Sequence, residues 1–283
     1  MSKVNLSTKM TIPDLQRMKA ENRKITMLTA YDYTMARLVD EAGVDVVLVG
    51  DSLGMVVQGC GNTLSVTVDH MVYHAQCVAR GLRRAHLVVD MPFMSYHSRE
   101  QALDNAARIM RDGQAESVKL EGGEDVCDII EAITRCGVPV MAHIGLTPQS
   151  VHAKGGFKVQ GRDEVGAARL LDDAIAVQEA GAWSVVVEGV PRDLAAEIRK
   201  RLSIPTIGIG AGVHCDGQVL VINDLLGMDT QFKPRFVKRY ATLEESIVGA
   251  VQSYLHEVQQ GVFPDEKHSF RSRKTNARRV SAA

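Results

Sequence analysis

Five stretches of this sequence run through apolar residues and then stop on groups that are costly to bury. They read VLVGDS, with Asp51 and Ser52; LVVDMP, with Asp90; SVKLEGG, with Lys119 and Glu121; VMAHIGLTP, with His143; and SVVVEGVP, with Glu188. A carboxylate buried without a partner is strongly destabilising or takes up a proton. One such residue is readily a satisfied structural acid. Five successive apolar runs ending this way are hard to explain by packing. Lys119 and Glu121 are two residues apart, so on a strand they point to the same side.

These residue types suggest a particular chemistry. Asp51, Asp90 and Glu121 repel one another unless a cation or protons neutralise them. An all-oxygen set selects a hard cation, best Mg²⁺ retaining some of its water. The sequence shows no His/Cys cluster of the kind that binds zinc. Lys119 adds a second positive charge. A cation beside a lysine suits an anion with adjacent oxygens, and a 2-oxo acid is the simplest such anion. A Lewis acid there polarises the carbonyl and stabilises the enolate left when the next carbon loses a proton. Glu188 is not needed as a ligand. Burial in VVVEGV is expected to raise its pKa, which suits a general base.

Each residue also has a plainer reading. The three acids could form an ion-pair network without metal, Lys119 could be their salt-bridge partner, and Glu188 could be structural. His143 could simply be bonded to backbone at a strand end. Tyr31, in LTAYD, either lines the pocket or is a rim residue. The segment IGIGAG at 207–212 either approaches a phosphate or makes tight turns.

The elements that must position these groups are legible as a repeat. Eight β-rich apolar runs recur: Ile25–Ala30, Val44–Gly50, His86–Pro92, Ser117–Gly122, Val138–Gly145, Ser184–Val190, Ile204–Gly210 and Gln218–Leu226. Most are continuously apolar, as in strands buried on both faces of a parallel sheet. Helical stripes such as Val126, Ile129, Ile130 and Ile133 lie between them. Gly43, Gly113, Gly137 and Gly181 stand where left-handed helix C-caps are expected. Repeated units of this kind imply right-handed βαβ crossovers and a (β/α)8 TIM barrel, with an open doubly wound sheet as runner-up. No G-x-G-x-x-G fingerprint follows the first strand, which counts against the runner-up. A helix over Ile12–Asn22, N-capped by Thr11 with Pro13 in its first turn, should cap the barrel bottom. A last helix over Leu243–Gln260 should close the domain. Residues 1–270 read as one catalytic domain.

Composition narrows the class further. The chain has 283 residues, a formal charge of −1, 45 % hydrophobic and 24 % charged residues. These values fit a globular protein that needs no staples. Near-neutral charge gives no general reason to bind nucleic acid or anionic membrane. No apolar run approaches the ~20 residues that span a bilayer. The first residues, MSKVNLSTKM, show no secretory pattern, and Cys60, Cys77, Cys127, Cys136 and Cys215 are scattered without a C-x-x-C pair. Both features fit reduced thiols in a cytoplasmic protein. Residues 271–283 carry five Lys and Arg and no acid, and read as a solvated basic tail.

The motifs LTAYD (28–32), VGDSLGMVVQG (49–59), DMPFMSY (90–96), VKLEGG (118–123), HIGLTPQ (143–149), VVEGVP (186–191), IGIGAG (207–212) and CDGQVLV (215–221) together resemble the ketopantoate hydroxymethyltransferase family. The match runs in order from about Thr11 to Phe270. The resemblance implies a (β/α)8 barrel of the phosphoenolpyruvate/pyruvate superfamily, assembled as a homodecamer. It implies transfer of a one-carbon unit from 5,10-methylenetetrahydrofolate to 3-methyl-2-oxobutanoate, giving 2-dehydropantoate on the route to pantothenate and coenzyme A. It places metal binding on Asp51, Asp90 and Glu121. It places contacts to the 2-oxo acid on Asp51, Ser52, Asp90 and Lys119, and the proton acceptor on Glu188. Asn223 stands where the resemblance leads one to expect His. The alternative on the same scaffold is a Mg²⁺-dependent 2-oxo acid lyase or phosphonate mutase of the isocitrate-lyase kind, though no K-x-C-G-H-type loop is evident. A binding scaffold without turnover is a third reading, and the presence of Glu188 and Lys119 counts against it.

Overall fold

The computed structural model describes residues 8–229 and 234–272, so all but Arg271 and Ser272 of the basic tail lie outside the described residues. Eight parallel strands close in sequence order into a barrel. They are β1 (Ile25–Thr29), β2 (Val46–Val49), β3 (His86–Asp90), β4 (Ser117–Glu121), β5 (Val140–Gly145), β6 (Ser184–Glu188), β7 (Thr206–Ile209) and β8 (Gly217–Leu220). The helices are α1 (Ile12–Ala20), α2 (Tyr33–Glu41), α3 (Leu53–Val56), α4 (Val68–Gly81), α5 (Arg99–Arg111), α6 (Cys127–Arg135), α7 (Glu164–Glu179), α8 (Arg192–Arg201), α9 (Ile222–Leu226) and α10 (Leu243–Gln259). None of the described helices is long and apolar enough to cross a membrane.

Strand alternation divides the apolar residues into two cores. Met27, Val46, Leu48, Val88, Met141, Val186, Ile207 and Val219 fill the barrel, closed at the bottom by Leu15 and Met18 of α1. Val47, Val89, Leu120, Ala142 and Val187 face outward and join the helices in the larger core. In α6, Ile129, Ile130 and Ile133 share one face, and all three are buried. Burying each such side chain contributes roughly 1.5–3 kcal/mol. Thr11 caps α1 with Asp14 as its capping-box partner.

Four boundaries differ from the sequence reading. Helix α1 stops at Ala20 rather than Asn22, and Asn22 takes a positive φ. Of the expected C-cap glycines, Gly43, Gly137 and Gly181 have positive φ, but Gly113 does not; Gln114 makes that turn instead, with φ 60°. A Cβ on Gly113 would lie 2.5 Å from the Ile109 carbonyl oxygen, so that glycine serves close approach. The eighth run splits: the strand ends at Leu220 and Ile222–Leu226 is helical. The Ile222 N–H donates to Thr29 Oγ1 at 2.9 Å, which draws the chain out of the sheet. Finally, α10 does not close the domain. It spans Leu243–Gln259 as expected, yet none of its residues is buried.

The barrel bottom yields a test of stability. His86 is buried at the start of β3, with Nε2 2.6 Å from Ser117 Oγ and the ring edge-on to Trp183. Burial, only partly offset by Glu116, holds its pKa down from 6.5 to about 4. The unfolded chain therefore takes up a proton that the folded barrel refuses. His86 costs nothing above about pH 6.5, and folding loses stability as pH falls from there to about 4. The loss is of the order of 3 kcal/mol. Urea unfolding at neutral and acid pH should show a weaker acid loss in His86→Gln than in the parent chain.

Candidate active site

Strand register brings the costly groups together at the C-terminal end of the barrel. Asp90 pairs directly with Lys119 across β3–β4, Glu121 with His143 across β4–β5, and Gly145 with Glu188 across β5–β6. Asp90, His143 and Glu188 lie two residues from inward-facing Val88, Met141 and Val186 on their own strands, and Lys119 and Glu121 alternate with outward-facing Val118 and Leu120, so all five point into the barrel. Gly145 is required for the last pair. Its φ is +93°, and a Cβ there would lie 2.3 Å from the Glu188 carbonyl oxygen.

The result is a nearly dry chain of charges. Asp51, Asp90, Lys119, Glu121 and His143 are all buried. Lys119 Nζ lies 2.8 Å from Asp90 Oδ1 and 3.3 Å from His143 Nδ1. Asp90 Oδ1 has this ion pair and no well-aligned hydrogen bond, while Oδ2 accepts the Asp51 N–H at 3.0 Å. His143 Nδ1 is 3.5 Å from Glu121 Oε1, and Nε2 is 3.2 Å from Glu188 Oε2 but not aligned as a hydrogen bond.

The electrostatics follow from burial and neighbours. Burial raises the proton affinity of Asp51 well above the usual carboxylate range, and Asp90 and Glu121 raise it further. Burial also raises Asp90, although Lys119 opposes it. Burial works against the Lys119 charge, but Asp90, Glu121 and Asp51 outweigh it and hold the ammonium above its ordinary range. Burial alone would raise Glu121, yet His143 and Lys119 bring it below the usual value. Burial and Lys119 both disfavour a charged His143, but Glu121 and Glu188 outweigh them and raise it to about 9. The ring thus faces Lys119 and Glu121 through Nδ1 and Glu188 through Nε2.

Two residues absent from the list of expected site residues complete the arrangement. Gln149 Nε2 donates to Asp51 Oδ2 at 2.8 Å and to the Met91 carbonyl at 3.0 Å, and its backbone N–H donates to Glu121 Oε2 at 3.0 Å. The Tyr96 hydroxyl donates to Gln149 Oε1 at 2.7 Å. Gln149 and Tyr96 sit at the ends of HIGLTPQ and DMPFMSY. A search for ionisable strand ends passes over an amide and a phenol, so only their place in those motifs could have flagged them. Tyr31 is buried, and its hydroxyl lies 2.8 Å from Ser52 Oγ. Burial pushes the Tyr31 phenol above its ordinary range. Both residues thus reach the same mouth. Glu188 differs from the expectation that it would be buried among valines: its side chain is 15 % exposed at the rim. Gly210 and Gly212 both have positive φ, as turns following β7 require.

The donor set suits a hard cation. Three buried carboxylates share Lys119, Asp90 Oδ1 lacks an aligned donor, and Asp51 is short of positive charge. Among the described residues, no three His, Cys, Asp or Glu side chains form a ready-made metal cage. Mg²⁺ itself needs only one or two carboxylates, with water or substrate oxygens in its remaining positions.

Comparison with known proteins bears on the family and the fold. The family model described as ketopantoate hydroxymethyltransferase matches residues 9–266. A relative from Pelobacter propionicus named 3-methyl-2-oxobutanoate hydroxymethyltransferase is 57 % identical over 267 residues, covering 94 % of this chain and 99 % of its own. A relative of the same name from Clostridium beijerinckii is 53 % identical, covering 93 % of this chain and 96 % of its own. Among solved structures, phosphonopyruvate hydrolase with oxalate and Mg²⁺ matches with TM-score 0.60 at 13 % identity, covering 91 % of this chain and 92 % of its own. 2,3-Dimethylmalate lyase, of the PEP mutase/isocitrate lyase superfamily, matches with TM-score 0.57 at 15 % identity, covering 92 % and 91 %. At such identities the two structures speak to the fold alone.

Gln149 yields a test. Gln149→Leu removes the donor that holds Asp51 and is expected to lower turnover 10–100-fold, the usual effect of losing a supporting contact. Circular dichroism should show an unchanged fold.

Proposed function

The chain belongs to the ketopantoate hydroxymethyltransferase family, and we propose that it makes 2-dehydropantoate from 3-methyl-2-oxobutanoate with 5,10-methylenetetrahydrofolate as one-carbon donor. The observation that carries this reading is the buried run Asp51–Asp90–Lys119–Glu121–His143–Glu188, which ends on a carboxylate open to the barrel mouth.

Asp51 and Asp90 would hold a divalent cation, with Glu121 beside them. When bound, the cation supplies a Lewis acid to the adjacent oxygens of a 2-oxo acid. Lys119, pinned by Asp90, meets the negative charge that develops on the substrate carbonyl oxygen. Ser52, steadied by Tyr31, would meet the carboxylate of the 2-oxo acid. Glu188 takes the proton from the carbon next to the carbonyl, and His143 at 3.2 Å orients it. That carbon then bonds to the folate's methylene carbon; as the two C–N bonds of that carbon break, the hydroxyl of water takes the place of nitrogen, and the proton taken by Glu188 and the remaining proton of water go to the two folate nitrogens, so that tetrahydrofolate leaves. Gln149 and Tyr96 keep Asp51 and Glu121 in place throughout.

Free, scattered thiols fit cytoplasmic work, and the family resemblance points to a homodecamer. The lyase or mutase alternative has only the shared fold in its favour, whereas identity of 57 % over nearly the whole chain favours the transferase.

Glu188→Gln tests the assignment of roles. In D₂O with Mg²⁺, NMR should show the parent chain exchanging the C3 proton of 3-methyl-2-oxobutanoate. The variant should bind the oxo acid with affinity within a few-fold while exchange falls by at least 10²-fold. Unchanged exchange would remove Glu188 from the role of base.

A further inference from the structure

The loop between β5 and α7 is tied at two points to the strand end that carries Glu188. Lys154 Nζ donates to the Gly145 carbonyl at 2.6 Å, and Gly145 is the residue that pairs with Glu188 across β5–β6. The Gln160 N–H donates at 2.9 Å to the carbonyl of Gly189, the residue after Glu188. Between these ties Gly155 and Gly156 take φ of 64° and 111°, which side chains rarely adopt. A Cβ on Gly156 would meet nothing within 4 Å, so the backbone conformation, not lack of space, calls for glycine there.

This tethered turn reads KGGFK over residues 154–158. Phe157 is 51 % exposed. The Lys158 ammonium lies over the Gly155 backbone, since a Cβ on that glycine would be 3.3 Å from Lys158 Nζ. Lys154 is half-buried, and burial, only partly offset by Glu121, holds its proton affinity below the usual lysine range. Among the described residues neither lysine is ion-paired, whereas Lys119 is held by Asp90. An exposed ring between two ammonium groups without carboxylate partners suits a ligand that joins an aromatic ring to carboxylates.

The one-carbon donor proposed above is such a ligand, and the inference rests on that reading. Its methylene carbon bridges a pterin nitrogen and a nitrogen on a benzoyl ring, and the ring's far end carries glutamate. The methylene carbon has to meet the substrate carbon that Glu188 deprotonates. The benzoyl ring, one nitrogen away, then falls on surface next to Glu188, with the glutamate beyond it. Two flanks offer that surface. On the β6–β7 side stands Phe236, 3.1 Å from where a Cβ on Gly210 would lie. The cations that follow it are engaged: Lys238 lies over the Tyr240 ring, and Arg239 donates to the Asp229 carbonyl. On the β5–β6 side stands the tethered turn, with its two ammonium groups free of carboxylates.

We propose that the turn 154–158 is the subsite for the benzoyl-glutamate half of the one-carbon donor, with Phe157 against the ring and Lys154 and Lys158 on the glutamate carboxylates. The ties to Gly145 and Gly189 fix this subsite relative to Glu188, so that holding the tail also holds the methylene carbon beside the base.

Steady-state kinetics of the full chain tests this with two donors: 5,10-methylenetetrahydrofolate, and an analogue ending in a benzamide, which keeps the ring and lacks the glutamate. Lys154→Gln and Lys158→Gln should each raise KM for the folate about three- to ten-fold, and Lys154→Arg should not. KM for 3-methyl-2-oxobutanoate should not move. With the amide analogue the parent's KM should already be raised about ten-fold or more, and the two Gln variants should raise it no further, because the partner they lose is absent. Phe157→Ala should raise KM for both donors, and Arg235→Gln, on the Phe236 flank, for neither. Circular dichroism checks the fold, and exposed Lys158 keeps the test informative should the Lys154 variant loosen the loop. A parent without turnover would defeat the reading on which the inference rests. With an active parent, any of four results would overturn the inference alone: an unchanged folate KM in the Gln variants, an equal loss with the amide analogue, an equal rise in KM for the oxo acid, or a loss carried by Arg235→Gln instead.

Discussion

Everything at the mouth of this barrel turns on how three carboxylates can be kept out of water within reach of one another. Asp51, Asp90 and Glu121 are all buried, and among the described residues Lys119 is the one lysine paired with them. Charges in such surroundings are tolerated only when matched and hydrogen-bonded. Here the matching is incomplete. Lys119 serves Asp90, His143 serves Glu121 and Glu188, and Asp51 is left with an amide from Gln149 and a raised affinity for protons. A structural ion-pair network would be expected to close. This one stays short of positive charge at Asp51, which a cation can supply, and the cation can in turn receive an anionic substrate.

The fold makes that arrangement possible at modest cost. Parallel strands in fixed register place residues two apart at successive levels of the barrel interior, above the apolar filling of Val88, Met141 and Val186. Asp90 meets Lys119 and Glu121 meets His143 because their strands pair at those residues. A slip of one residue in either ladder would turn a charge outward into the helix layer. The valine-rich outer faces that lock the helices down, and Gly145 where β5 meets β6, therefore serve the chemistry as directly as the ligating groups.

The strand-end acids, the lysine and the histidine were legible in the sequence because an ionisable residue ending an apolar run is conspicuous. Residue parity then predicted that Lys119 and Glu121 would share a side. Gln149 and Tyr96 were not legible in that way, since uncharged polar residues in a loop carry no burial penalty that can be read from pattern. Glu188 was found as a strand end like the others, but its side chain is 15 % exposed rather than sealed among the valines that precede it. The split of the eighth run reflects a tertiary bond from Ile222 to Thr29 that no local pattern announces. Helix α10 was expected over Leu243–Gln260 and forms there, but its expected role of closing the domain does not hold, since local helical pattern does not say what a helix packs on.

If the buried acids form a cation site, an incoming cation competes with the proton that burial and the neighbouring acids favour on Asp51. Calorimetric titration of the protein with Mg²⁺ in two buffers of different ionisation enthalpy, at mildly acid pH, tests it most directly. Binding with a buffer-dependent heat that reports proton release, and loss of both in Asp51→Asn, is the predicted result. Absence of Mg²⁺ binding, or binding that Asp51→Asn leaves unchanged, would contradict it.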